Sequence, residues 1–99
     1  MAYFIYLMAD HTHKHLHAGY CKDIIKAIDF YKEQEMMSLY YPTEKYLTRL
    51  VYLTEVTTEK QAIEGFEYFN FMPITEKIKE VINVNPGWIE LIPGVNIEL

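Results

Sequence analysis

The chain has 99 residues, a formal net charge of -5, 51% hydrophobic residues and 15% aromatic residues. This length indicates a single domain spanning residues 1–99, and the apolar fraction is sufficient to fill a core, which argues against intrinsic disorder. Nine basic residues face fourteen acidic ones, so the composition does not favour nucleic acid as a partner, because phosphate binding depends on clustered Lys and Arg.

Three further features bear on the compartment. The N-terminal segment "MAYFIYLMAD" lacks the basic region of a signal peptide, and no apolar run reaches the roughly 18–20 residues of a membrane helix. Cys21 is the only cysteine, which excludes an intrachain disulfide, and we interpret it as a small buried hydrophobic residue. We therefore expect a soluble cytoplasmic protein with no membrane contact.

The first half of the chain predicts a hairpin followed by a helix. The apolar run 2–9 is typical of a strand that is buried on both faces, 11–14 is a polar turn, and 15–21 is a second, antiparallel strand. Asp23 is a predicted helix N-cap. Behind it, apolar residues recur at helical spacing until the helix ends near Gln34.

The second half predicts one strand and two helices. The segment 49–56 carries apolar residues on both faces, so we expect a central strand. Thr58 and Gln61 form a capping-box pattern at the start of a helix over 57–71, in which Gly65 indicates close packing. A last helix covers 74–84, and Trp88 is expected to pack the C-terminal tail onto the core. The predicted class is α+β, with helices flanking a short, mostly antiparallel three-stranded sheet in the order β-β-α-β-α-α.

The segment "DHTHKHLHAGY" contains all four histidines, at positions 11, 13, 15 and 17. In one straight strand they would share a face and could bind Zn²⁺ or a similar metal together with Asp10. The other interpretation is a hairpin whose turn carries solvated His11 and His13, and we favour this one.

Several segments resemble the GIY-YIG endonuclease superfamily in their order and spacing, over nearly the whole chain. They are "FIY" (4–6) in the first strand, "HAG" (17–19) in the second strand and "INVNPGWIEL" (82–91) after the last helix. The resemblance aligns Tyr6 and Gly19 with retained motif positions. It places His17 where the family has its second tyrosine, and there an imidazole could act as a general acid or base.

The resemblance implies phosphodiester hydrolysis assisted by one divalent metal such as Mg²⁺. In that chemistry a carboxylate holds the metal, a tyrosine positions water, and an arginine neutralises the phosphate. The arginine position is occupied by Ala27, beside Lys26, and the position one turn later by Tyr31. The position of the metal-binding glutamate is occupied by Phe66, and Glu67 would reach it only after a one-residue shift.

We therefore interpret the chain as a divergent GIY-YIG-like domain without the standard endonuclease activity and without a cofactor. It would act as a binding module for an unidentified ligand, with ligand-binding positions at Gly19, Ala27 and Tyr31. Two alternatives stay open. One is an active metal-dependent endonuclease with a rearranged site at Tyr6, His17, Lys26 and Glu67. The other is a structural protein that forms a homodimer through "MMSLYY" (36–41).

Overall fold

Three strands and three helices make up the fold of the computed structural model, which describes residues 2–10, 15–37 and 49–97. In chain order they are β1 (Tyr3–Ala9), β2 (Leu16–Cys21), α1 (Ile24–Met37), β3 (Arg49–Val56), α2 (Glu59–Asn70) and α3 (Ile74–Val84). The predicted α+β class and the order β-β-α-β-α-α are confirmed. The segment 36–41, predicted as a dimer surface, extends into residues outside this description.

β1 lies at the centre of the sheet, whose strand order is β2-β1-β3 with both pairings antiparallel. The last five residues of β1 are all buried. This matches the continuous apolar sequence of β1, because a central strand covered by helices has no face in water. In this register Tyr6 lies opposite Gly19 on β2 and opposite Leu53 on β3.

Two apolar clusters cover the two faces of the sheet, because successive side chains of a strand point to opposite faces. The α1-side cluster consists of Tyr6, Met8, Ile24, Ile28, Tyr31 and Leu50. The α2-side cluster consists of Ile5, Leu7, Ala9, Leu16, Ala18, Val51, Ala62, Phe69 and Val81. Helix α1 thus packs on one face, and α2 and α3 pack on the other.

The expectation that β3 is a central strand was wrong, because β3 lies at an edge of the sheet. Its outer edge is covered by the C-terminal tail. The Leu91 amide donates to the Leu50 carbonyl at 2.8 Å, and the Asn85 side chain donates to the Val51 carbonyl at 3.0 Å. The side chains of a strand project above and below the sheet, whereas its hydrogen bonds to neighbouring strands lie in the plane of the sheet. A strand can therefore be apolar on both faces and still lie at an edge.

The predicted helix starts are confirmed in detail. Asp23 Oδ1 accepts a hydrogen bond from the Lys26 amide at 3.1 Å, as a helix N-cap does. Thr58 and Gln61 form the complete capping box at the start of α2. A Cβ atom on Gly65 would collide with Ile5 Cδ1, so this glycine allows α2 to approach β1 closely, as predicted.

The C-terminal part also agrees with prediction. Helix α3 has the predicted bounds, and Trp88 packs against the α2-side cluster.

Helix α1 continues past its predicted end, to Met37. None of the helices in the described ranges is both long and apolar enough to cross a membrane.

Candidate functional site

Tyr6 and Tyr31 form the centre of the candidate site. Tyr6 lies in the middle of β1 and Tyr31 lies on the inner face of α1, and both are buried. Their hydroxyl oxygens are 3.4 Å apart, and their rings meet edge to face with centroids 6.1 Å apart. Edge-to-face contact is a favoured arrangement of two aromatic rings. The phenol of Tyr6 is therefore held by a second phenol, supplied by α1.

Two small residues lie around this pair of rings, and one of them makes room for Tyr6. A Cβ atom on Gly19 would collide with the hydroxyl and the ring carbons of Tyr6, so the tyrosine lies directly against the bare backbone of β2. Ala27 packs against the α1-side cluster from the neighbouring turn of α1. Gly19 thus lies directly against Tyr6, and Ala27 packs on the cluster that contains both tyrosines.

His17 extends the site towards solvent. Its exposed ring lies beside Tyr31, with centroids 6.0 Å apart. Partial burial and the nearby ammonium group of Lys77 both lower the pKa of His17. The imidazole is therefore neutral at pH 7, in the form that can accept a proton. Sequence reasoning missed Lys77, because α3 is far from β2 in the chain and no local pattern connects them.

Burial controls the protonation of both phenols. Desolvation raises the pKa of Tyr6, although the hydrogen bond from Tyr31 opposes this shift. The pKa of Tyr31 is raised further, because burial and the interaction with Tyr6 act in the same direction. Both hydroxyls are therefore protonated at neutral pH. They can donate hydrogen bonds, but they cannot act as bases.

Cys21 lies at the end of β2, next to the α1-side cluster. Burial and the nearby carboxylate of Asp23 raise the pKa of its thiol to about 11. Only the thiolate reacts readily with alkylating reagents and metals. The raised pKa therefore supports the interpretation of Cys21 as a packed, unreactive side chain.

We expect alkylation of Cys21 by iodoacetamide at pH 9.5 to be about 25- to 30-fold slower in the folded protein than in guanidinium, because the folded thiolate fraction is that much smaller. Mass spectrometry of quenched samples measures both rates. The Asp23→Asn variant should react faster than the wild type, since it removes a carboxylate that disfavours the thiolate. Equal rates in the folded and unfolded chains would contradict this assignment.

Lys26 and Glu67 do not join the site. Lys26 is exposed on the outer side of α1, and Glu67 is exposed on α2, where it lines a separate groove. Phe66 packs against the α2-side cluster, and its ring centroid lies 5.6 Å from that of Tyr20. Of the predicted site residues, the structure therefore brings together Tyr6, His17, Gly19, Ala27 and Tyr31.

The histidine run has two described members with different surroundings. His15 is held by Asp10, a buried carboxylate that accepts a hydrogen bond from the His15 amide at 3.1 Å and lies 3.1 Å from its Nδ1. His17 instead contacts Tyr31. His11 and His13 lie outside the described residues. Among the residues the structure describes, no group of three or more His, Cys, Asp or Glu side chains could hold a metal ion.

Comparison of the chain with family models, with curated proteins and with solved structures finds no significant match in any of the three.

Proposed function

We propose that this protein is a divergent GIY-YIG-like domain that serves as a binding module and does not hydrolyse phosphodiester bonds. The order β-β-α-β-α-α and the contact of Tyr6 with Gly19 across two paired strands support the resemblance. Fold alone does not determine activity, so the surroundings of Tyr6 carry the functional part of the proposal.

The observation that carries the proposal is the environment of the Tyr6 hydroxyl. That hydroxyl is buried against a second phenol, from Tyr31, within a cluster against which Ala27 packs. Phosphoryl transfer needs cations close to the oxygens that gain negative charge. A protonated pair of tyrosines and an alanine offer hydrogen bonding and apolar contact instead. These properties are suited to recognising a ligand.

One observation favours the alternative of an active endonuclease. His17 is neutral at pH 7 and lies close enough to Lys77 for the ammonium group to affect its pKa. An imidazole and a lysine could then act as base and cation at the edge of the site. This alternative needs a divalent cation such as Mg²⁺ held by Glu67, which in the structure lines a different groove.

Two finer expectations belong to the same proposal. The single cysteine supports a location in the cytoplasm, since cytoplasmic proteins rarely contain disulfides. Homodimer formation through 36–41 is the remaining alternative, and it concerns residues that lie mostly outside the described ranges.

We expect no nicking of supercoiled plasmid DNA by the protein above the level of a protein-free control, in either Mg²⁺ or Mn²⁺. The physical reason is that Ala27 and Phe66 occupy the positions of the phosphate-neutralising and metal-binding residues. Agarose gels of the nicked and linear forms measure the outcome. Cleavage that disappears in Tyr6→Phe or His17→Ala but persists in the exposed control Tyr68→Phe would overturn the proposal.

A further inference from the structure

A groove lies between α2 and α3, away from the Tyr6 site. It has a volume of about 590 Å³, which is within the usual range for binding sites. Four carboxylates line it, from Glu64 and Glu67 on α2 and from Glu76 and Glu80 on α3. Tyr68, Phe71 and Met72 supply its apolar surface. We call it the α2–α3 groove.

The apolar side of the groove is exposed, and the Tyr68 ring on that side packs on a residue of the core. Phe71 is 81% exposed and Tyr68 is 61% exposed, although both are large aromatic residues. The Tyr68 ring packs on the buried Phe69 with centroids 5.3 Å apart, and Phe69 packs on Tyr52 at 5.0 Å. These contacts link the groove surface to the core. A partner would therefore meet a Tyr68 ring that is already held in place, which lowers the entropy cost of binding.

The charges of the groove specify the sign of its partner. Glu76 forms an ion pair with the exposed Lys79 at 3.4 Å, and an exposed pair of this kind contributes little. Burial raises the pKa of Tyr52, and the Glu80 carboxylate adds to this shift, so the charge of Glu80 acts on a side chain that packs on the core. In the described part of the chain, no three acidic groups could jointly hold a metal ion. The four carboxylates come from two helices, so they suit a partner that carries more than one cationic group.

We propose that the α2–α3 groove docks a basic segment of another protein, with arginine or lysine residues on either side of an apolar side chain. The apolar side chain would lie on Phe71 and Met72. Arginine suits the flanking positions, because a guanidinium group pairs with carboxylates and also stacks on aromatic rings such as Tyr68. This inference names the partner class of an interaction module, and in that sense it rests on the proposed function.

The test uses a fluorescein-labelled peptide, Arg-Leu-Arg-Arg-Leu-Arg, and fluorescence anisotropy at low and physiological salt. The double variant Glu64→Lys/Glu67→Lys should weaken binding at least about tenfold, because two attractions become repulsions. The matched control is Asp29→Lys/Glu33→Lys, which makes the same change of charge at exposed positions of α1. The control should weaken binding less than about threefold, because these charges are distant from the bound peptide.

The contribution of the rings is tested separately. Phe71→Ala should weaken peptide binding about fivefold or more through lost apolar contact. The fold of the Phe71→Ala variant should be unaffected, because Phe71 is 81% exposed. Circular dichroism checks that each variant is folded.

The inference would be overturned by equal weakening from the α1 and α2 double variants, by no effect of Phe71→Ala, or by no binding at millimolar protein. A dimer that Phe71→Ala dissociates in sedimentation would make a second copy of this chain the occupant, and would also overturn it. Plasmid nicking by the wild-type protein does not depend on peptide binding, so failure of the inference and failure of the proposed function are distinguishable.

Discussion

Replacement of Asn85 by alanine is expected to lower the free energy of unfolding by about 3 kcal/mol. The Asn85 side chain is only 8% exposed and makes three hydrogen bonds to backbone groups. Its Nδ2 donates to the carbonyls of Val51 at 3.0 Å and Ile89 at 2.9 Å, and its Oδ1 accepts from the Ile89 amide at 3.0 Å. Alanine removes all three bonds and takes a partner from the carbonyl of the buried Val51, which is the more costly part.

The effect of this variant should extend along the tail. Asn85 joins the end of α3 to the outer edge of β3, where the Leu91 amide donates to the Leu50 carbonyl. Loss of the Asn85 bonds should therefore speed hydrogen exchange at Leu91 before global unfolding. Urea denaturation followed by circular dichroism measures the stability change. The matched control is Asn83→Ala at an exposed position of α3, expected within about 0.5 kcal/mol of wild type. A similar small change for Asn85→Ala would show that the tail does not depend on this side chain.

Replacement of Gly19 by alanine is expected to cost about 2–3 kcal/mol of stability, as overpacking in a core does. The added Cβ would collide with the ring of Tyr6, which is buried between β2 and Tyr31. A flexible side chain could move its end aside, but an aromatic ring in a packed cluster must move as a unit. The substitution should therefore also disturb the Tyr6–Tyr31 contact. Near-ultraviolet circular dichroism of the tyrosines reports that change.

A double-variant cycle separates this collision from other effects of the extra methyl group. In a Tyr6→Leu background, the cost of Gly19→Ala should fall below about 1 kcal/mol, because the colliding ring atoms are gone. Gly87→Ala is the control, since a Cβ at that glycine would lie 3.5 Å from its nearest neighbour, Ile89 Cγ1, and its φ is not positive. An unchanged cost in the Tyr6→Leu background would place the strain of Gly19→Ala somewhere other than the Tyr6 ring.

The elements of this fold could be predicted because their signals are local. The capping box of Thr58 and Gln61 marked the start of α2, and Pro73 separated α2 from α3. The apolar run of β1 indicated a strand covered on both faces. Each of these patterns follows from the geometry of one helix or strand, so a short stretch of sequence is enough to recognise it.

The position of β3 could not be predicted in the same way. The apolar pattern of β3 indicated correctly that both of its faces are covered. The same pattern does not show which segments of the chain form hydrogen bonds with its two edges. That information lies in Asn85 and Leu91, some 30 to 40 residues later in the chain. Hydrogen-bond pairing between distant segments depends on the backbone and leaves little trace in local composition.

The candidate site shows the same division. The fold class, Gly19 and the alanine at position 27 could be established from the amino-acid sequence. The contact of Tyr31 with the Tyr6 hydroxyl, the effect of Lys77 on His17 and the position of Glu67 in a different groove became known from the packing of the elements. Local patterns specify which face a side chain occupies on its own element. The packing of one element on another decides which side chains meet, because it depends on the shape of the whole core.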